Sequence, residues 1–219
     1  GLGGSPAYRE NFIKWATQFK ESFQREKNVV VYIDGSSQSR KNILQRTEKE
    51  VSQLSPGGEL WFILVGHANY DGENYKFNIK GPDLTDEDLA QLLDKLDVAR
   101  TIFIAGTSSA GALIPRLRGS NRVIVAATTV REKQPPMFLS FFSESVSSFE
   151  ADRDKNNRIS LLEAFLYSRQ KVSSWFEESG RLQTEHAILD DSARFQLSGS
   201  QNDSVERDRR GFGLLSSIS

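Results

Sequence analysis

LWFILVGH (60–67) and TIFIAGTSSAG (101–111) decide how this chain is read. Each is a short run of Val, Ile, Leu and Phe that breaks off at residues able to do chemistry. A run of that kind, closed by Gly, predicts a strand buried on both faces of a parallel sheet rather than an alternating surface strand. The first run ends at His67, and the second passes through Thr107, Ser108 and Ser109 to Gly111. In an open α/β sheet, ligands and catalytic groups collect beyond the carboxyl ends of the strands. The two runs therefore predict that a histidine and a hydroxyl cluster meet in space.

The flanking sequence supplies the rest of an α/β pattern. Residues 6–26 carry Phe12, Ile13, Trp15, Ala16, Phe19 and Phe23 at helical spacing, with Pro6 at the start, which predicts an amphipathic helix. NVVVYIDG (28–35) reads as a strand. Residues 39–54 read as a helix with Ile43, Leu44, Val51 and Leu54 inward, stopped by SPGG. HANYDGENYKFNIKGPD reads as a polar loop that could face a substrate. Thr85 followed by Asp88 resembles an acidic capping box opening helix 86–96. A short helix at 110–117 and a strand at 121–128 come next, then a helix from Pro135-Pro136 through Val146 and a long one over 160–178. Strands alternating with helices imply βαβ units, hence an α/β fold with a mostly parallel central sheet and helices on both faces.

Composition narrows the classes. The chain has 219 residues, 37% of them hydrophobic, including 14 Phe and 3 Trp, enough for one substantial core. The 28 basic and 29 acidic residues leave a formal charge of −1, so no broad nucleic-acid or membrane electrostatics are implied. No apolar run approaches the ~18–20 residues of a membrane helix. There is no cysteine, so neither disulfides nor thiolate chemistry are available. The opening GLGGSP, without a methionine, suits a processed or trimmed segment. After about 191 the composition turns to Ser, Gln, Asp and Arg, which predicts a flexible tail over 192–219.

Acyl transfer by a nucleophile needs an attacking group, a base to take its proton, and amides to hold the oxyanion. His67 is the candidate base and Ser108 the candidate attacking group. Backbone N–H groups around Gly66 and Ser109 are the candidate oxyanion hole. Asp34 and Asp71 are conceivable third partners, though no spacing marks either.

V-G-H after one strand and T-S-S-A-G after the next resemble clan CD cysteine peptidases of the caspase and legumain type. The likeness extends over roughly 1–190, through YKFNIKGPDLTDEDLAQLLDKL, IPRLRGSNRVIVAATT and ISLLEAF…LQTEHAILDDS. The resemblance implies a caspase-like three-layer sandwich over 1–191, with the nucleophilic Cys position falling on Ser108. It also implies a first strand preceding the GLGG. A serine hydroxyl needs a strong, oriented base that a thiolate does not. The resemblance with this departure implies a pseudopeptidase that binds a peptide or protein without efficient cleavage. Two alternatives stand beside it. One is an endopeptidase seen as a Cys-to-Ser variant, or a weak serine hydrolase using Ser108 and His67. The other is a calcium-responsive module of a larger extracytoplasmic, periplasmic or secreted, bacterial protein.

The calcium reading rests on DRDKNNRISLLE (152–163). Asp152, Asp154, Asn156, Arg158, Ser160 and Glu163 take positions 1, 3, 5, 7, 9 and 12 of an EF-hand-like loop. That spacing supplies the carboxylate, amide and backbone oxygens that Ca2+ prefers. Asn157 stands at the sharp turn where Gly is usual, and Asn tolerates the left-handed conformation. The same acids could instead cap the helix that follows. Thr184, Glu185 and His186 read as a structural histidine motif, and Arg40 and Arg46 as exposed helix charges that could also meet an acidic ligand side chain.

Overall fold

The protein is described by a computed structural model over residues 1–25, 30–53 and 58–191. Its helices are α1 (Pro6–Arg25), α2 (Arg40–Val51), α3 (Asp86–Lys95), α4 (Ile114–Leu117, entered by a 3₁₀ turn, Ala110–Leu113), α5 (Phe138–Ser145) and α6 (Leu161–Glu178). Its strands are β1 (Glu59–Val65), β2 (Ala68–Tyr70), β3 (Tyr75–Phe77), β4 (Leu84–Thr85), β5 (Arg100–Gly106), β6 (Arg122–Ala126) and β7 (Ile188–Asp190). The main sheet runs β1-β5-β6-β7, parallel throughout except for the last pair. The fold is the mixed α/β, mostly parallel three-layer sandwich that the sequence pattern predicts.

Layering follows from side chains that alternate across the sheet. Ile102, Ile104, Val123 and Val125 point into one core with Phe12, Phe19, Phe142 and Phe165 of α1, α5 and α6. Phe103, Ala105, Ile124 and Ala126 point into the other, with Ile43 of α2, Leu89 and Leu93 of α3, and Leu117 of α4. Every residue of β6, and all of β5 after Arg100, is buried. Both strands accordingly carry largely apolar runs, with Thr101 and the ion-paired Arg122 at their starts. Gly106 ends β5 beneath α5, where a Cβ would lie 1.9 Å from Leu139 Cδ1, so the close approach of helix and strand requires glycine there.

Three sequence expectations change. The stretch after His67 is an antiparallel sheet, β2-β3-β4, rather than a plain loop. Its Tyr75, Phe77 and Leu84 are buried in the second core, and that burial, not the polar composition, sets its conformation. Among the described residues, Val30–Asp34 join no ladder, and 28–29 lie outside them. High β-propensity yields a strand only where a partner lies within pairing distance, about 4.8 Å. The outer edge of β1 instead borders a cavity of about 900 Å³ that Val30–Ile33, Phe12, Phe19 and Val51 also line. Finally, β7 pairs antiparallel with β6, a short strand that alternation alone did not mark. The expected tail, 192–219, lies outside the described residues.

Replacing Gly106 with Ala should destabilise the fold by about 1–3 kcal/mol, since the added methyl overpacks the β5–α5 contact. The double variant Gly106→Ala/Leu139→Ala should lose less than the sum of the two single changes. Urea unfolding of the four proteins measures both; simple additivity would rule out this contact as the reason for glycine.

Candidate functional site at the carboxyl edge of the sheet

The β1–β5 register sets the site. Val65 pairs with Gly106, so both strands end level, and His67 and Ser108 each stand two residues beyond that last pair. The structure thus brings the histidine and the hydroxyl cluster to one edge. Gly66 precedes His67, and a Cβ there would come within 3.0 Å of Phe77 Cζ.

Bonding at that edge is closed on itself. The Ser108 hydroxyl donates to the Ala68 carbonyl at 2.8 Å and is buried. His67 Nε2 lies 3.2 Å from the Gly3 carbonyl. Its ring stands edge-on to Tyr8 and Phe12, at centroid distances of 4.9 and 5.1 Å. Among the described residues no hydrogen bond joins His67 to Ser108. Ser109 sits in the left-handed region at φ 52°, and its N–H donates to the Glu132 carbonyl at 2.8 Å. Thr107 Oγ1 shares a 2.6 Å bond with the fully buried Tyr75 hydroxyl, and burial pushes the Tyr75 hydroxyl pKa far up.

Among the described residues no acid is hydrogen-bonded to the imidazole. Asp34 accepts from Ser36 N–H, and Asp71 accepts from Glu73 N–H, Asn74 N–H and Lys76 Nζ. Arg40 pairs with Asp88 at 3.2 Å and Arg46 with Glu50 at 3.9 Å, so both arginines are engaged on the α2 surface.

The 152–163 loop has the expected turn, with Lys155 and Asn157 at φ 58° and 63°. Carboxylate oxygens of Asp152, Asp154 and Glu163 lie within 4.8 Å of one another. Both Glu163 oxygens are already engaged. Oε1 accepts from the N–H groups of Arg153 and Asp154, and Oε2 from the N–H and hydroxyl of Ser160. These four donors match the roughly four lone-pair positions of a carboxylate. Ser160 in turn caps α6, completing a capping box with Glu163. Asn156 and Arg158 hold the turn through backbone bonds to Asp152, Asp154 and Asn156. The acidic oxygens fit a hard cation in kind and spacing, but Glu163 must leave the cap to bind one.

Residues 129–137 and 184–187 form a cluster that sequence reading overlooked apart from the TEH motif. Glu132 Oε2 accepts from the N–H groups of Thr129 and His186, and Oε1 lies 2.6 Å from His186 Nδ1. Burial alone would raise the Glu132 pKa, but these bonds outweigh it and hold the carboxyl below its ordinary value. Glu185 accepts from Met137 and Phe138 N–H at the start of α5. Its burial outweighs those bonds and lifts its pKa to about 7.

Comparison with known proteins adds the fold alone. No family model matches the chain, and no curated protein does. The solved structure of protein GSU0716 from Geobacter sulfurreducens is similar, with a TM-score of 0.55 at 9% identity, over 80% of this chain and 82% of that one.

The raised pKa of Glu185 means the folded protein holds that proton more tightly than the unfolded chain. The Glu185 contribution to stability is therefore fully present below the ordinary 4.5, falls as pH rises toward about 7, and is lost above it. The fall attributable to Glu185 is about 3 kcal/mol at most. Glu185→Gln should flatten the pH 5–7 slope in urea unfolding, whatever its effect on absolute stability; an unchanged slope would show that another group titrates.

Proposed function

We propose that this domain is a peptidase-shaped protein that binds a peptide or protein segment at the carboxyl edge of its sheet without cleaving it efficiently. The observation that supports this reading is the bonding state of the edge. His67 and Ser108 stand level beyond β1 and β5, yet each is bonded to a backbone carbonyl rather than to the other. An alcohol with a pKa far above neutrality needs an imidazole base with a carboxylate behind it. Neither the Ser108–His67 bond nor the carboxylate is present among the described residues. A thiol in the same place needs less, because it ionises near neutral pH and is intrinsically nucleophilic. The site as bonded is accordingly poorly suited to attacking a ligand's carbonyl.

The unmutated chain should remain unlabelled by a fluorophosphonate. Ser108→Cys should become alkylated by a peptidyl electrophile, and the added His67→Ala change should suppress that labelling by roughly tenfold or more. Intact-mass spectrometry reads all three. Labelling of the unmutated chain at Ser108 would overturn the non-cleaving reading, and an inert Ser108→Cys protein would remove the site altogether.

A second reading, which the Asp152–Asp154–Glu163 cluster favours, is that the 152–163 loop takes calcium as a structural ion. The residues that would hold it are those three, with Asn156, Ser160 and the Arg158 carbonyl as the remaining oxygens at the expected spacing. Because Glu163 also caps α6, Glu163→Ala should lower the melting temperature even without calcium, by an amount corresponding to about 1 kcal/mol. Asp154→Ala is the cleaner probe, since Asp154 is exposed and lies outside the cap. Millimolar calcium should raise the melting temperature of the unmutated chain and not of Asp154→Ala. No shift in either would leave the loop as a capping device.

A further inference from the structure

We propose that Glu132 is a plug for this site: its backbone carbonyl fills the Ser109 amide, and its side-chain pairing with His186 keeps that amide from a carbonyl oxygen of a bound peptide. The inference rests on the reading of the sheet edge as a peptide-binding site and names the contact that governs it.

Ser109 N–H is the donor beside Ser108 that an incoming carbonyl would need, and it donates to Glu132 O at 2.8 Å. The following amides are also engaged. Ala110 N–H donates to Thr128 Oγ1 and Gly111 N–H to the Thr128 carbonyl, each at 2.9 Å. These two bonds tie the turn to the end of β6 through buried residues. The Ser109–Glu132 bond differs because its acceptor lies at a half-buried residue of the 129–137 segment, outside the main sheet.

What fixes that acceptor is the Glu132 side chain. It closes a small turn on Thr129 N–H at 2.7 Å and reaches across to the backbone and ring of His186, at 3.0 and 2.6 Å. The His186 side chain is 56% exposed, so it is held chiefly by this pair. Glu185 anchors the other end of the segment by accepting from Met137 and Phe138 N–H. The 129–137 segment is thus fastened at both ends to 185–186. The Glu185 end is buried, whereas at the Glu132 end the imidazole is 56% exposed and the carboxylate 15%. Release should begin at this less buried end, because a bond with a partly solvated partner gives up less on breaking than a buried one. Losing the His186 ring contact leaves the Glu132 carboxylate on two N–H groups alone, loosens its turn, and lets the carbonyl withdraw from Ser109. The vacated N–H then has the chemistry of an oxyanion or carbonyl donor.

Two measurements on the full chain test this. In otherwise unmutated protein, His186→Ala and Glu132→Gln should each speed hydrogen exchange at the Ser109 amide by about fivefold or more. Exchange at Gly111, bonded to Thr128, should change little. In the Ser108→Cys background, the same changes should raise the rate of labelling by a peptidyl acyloxymethyl ketone, whose carbonyl needs the donor. They should leave the rate with methyl methanethiosulfonate, which has no carbonyl, unchanged. Equal acceleration with both reagents would mean general loosening and overturn the plug. Unchanged exchange at Ser109 would overturn it as well. A Ser108→Cys protein inert to both reagents, with faster Ser109 exchange in His186→Ala, would sink the peptide-site reading and leave the gated amide standing.

Discussion

The structure depends on two strands, β5 and β6, having no face open to water. Their side chains alternate between the cores, Ile102, Ile104, Val123 and Val125 to one side and Phe103, Ala105, Ile124 and Ala126 to the other. Helices must therefore cover both faces, which forces a crossover between successive strands and keeps β1, β5 and β6 parallel. Register does the rest. A slip of one residue would exchange every side chain between the cores, moving Phe103 into the space of Ile102 or Ile104. Because that exchange is costly, β1 and β5 end level, and His67 and Ser108 arrive at one edge without any direct bond between them. The site's placement is a consequence of packing, and its chemistry is a separate matter.

That separation explains how groups able to do chemistry can meet at one sheet edge without a bond between them. Nothing in the packing of β1 against β5 uses the Ser108 hydroxyl or the His67 ring. The edge groups have instead settled into bonds that suit a buried polar turn: Ser108 to Ala68, Ser109 to Glu132, Ala110 to Thr128. A buried donor left without an acceptor costs about 1–3 kcal/mol, so each of these bonds stabilises the resting protein. Each also competes with a ligand for the same atom. Stability and availability are in direct opposition at this edge, and Ser109 is where the competing acceptor is held least deeply.

Legibility in the sequence tracked burial. The apolar runs 60–66 and 101–106 and the helices 6–26, 86–96 and 160–178 match observed elements to within a residue or two, because periodicity reports which faces leave water. The capping box at Thr85 and Asp88 is present with both reciprocal bonds, since its signal is local chemistry. The β2-β3-β4 sheet was not legible, because its strands are short and polar residues interrupt the few side chains, Ala68, Tyr75, Phe77 and Leu84, that enter the core. NVVVYI read as a strand on propensity, but a ladder needs a partner that no local pattern specifies. At the site, the positions of His67 and Ser108 followed from strand ends. Their bonding did not, since Gly3, Ala68 and Glu132 are assigned as acceptors by tertiary structure alone.

The carboxylates make the same point more sharply. Glu132, Glu163 and Glu185 look alike in sequence, and each accepts backbone N–H groups at the start of a turn or helix. Their protonation nonetheless diverges. Glu185 is buried, meets two N–H donors and has the Glu132 carboxylate nearby, so its proton is held to about pH 7. Glu132 has two N–H donors and an imidazole within 2.6 Å, and it stays ionised below the usual range. Deeper burial raises Glu185, and the imidazole helps to lower Glu132, because ring contact adds both a charge-assisted bond and a partner that can itself become cationic. The ionised member of the pair is the one whose main chain reaches Ser109. A half-buried charge of the 129–137 segment is thereby tied to a buried donor at the sheet edge through a single residue's two ends.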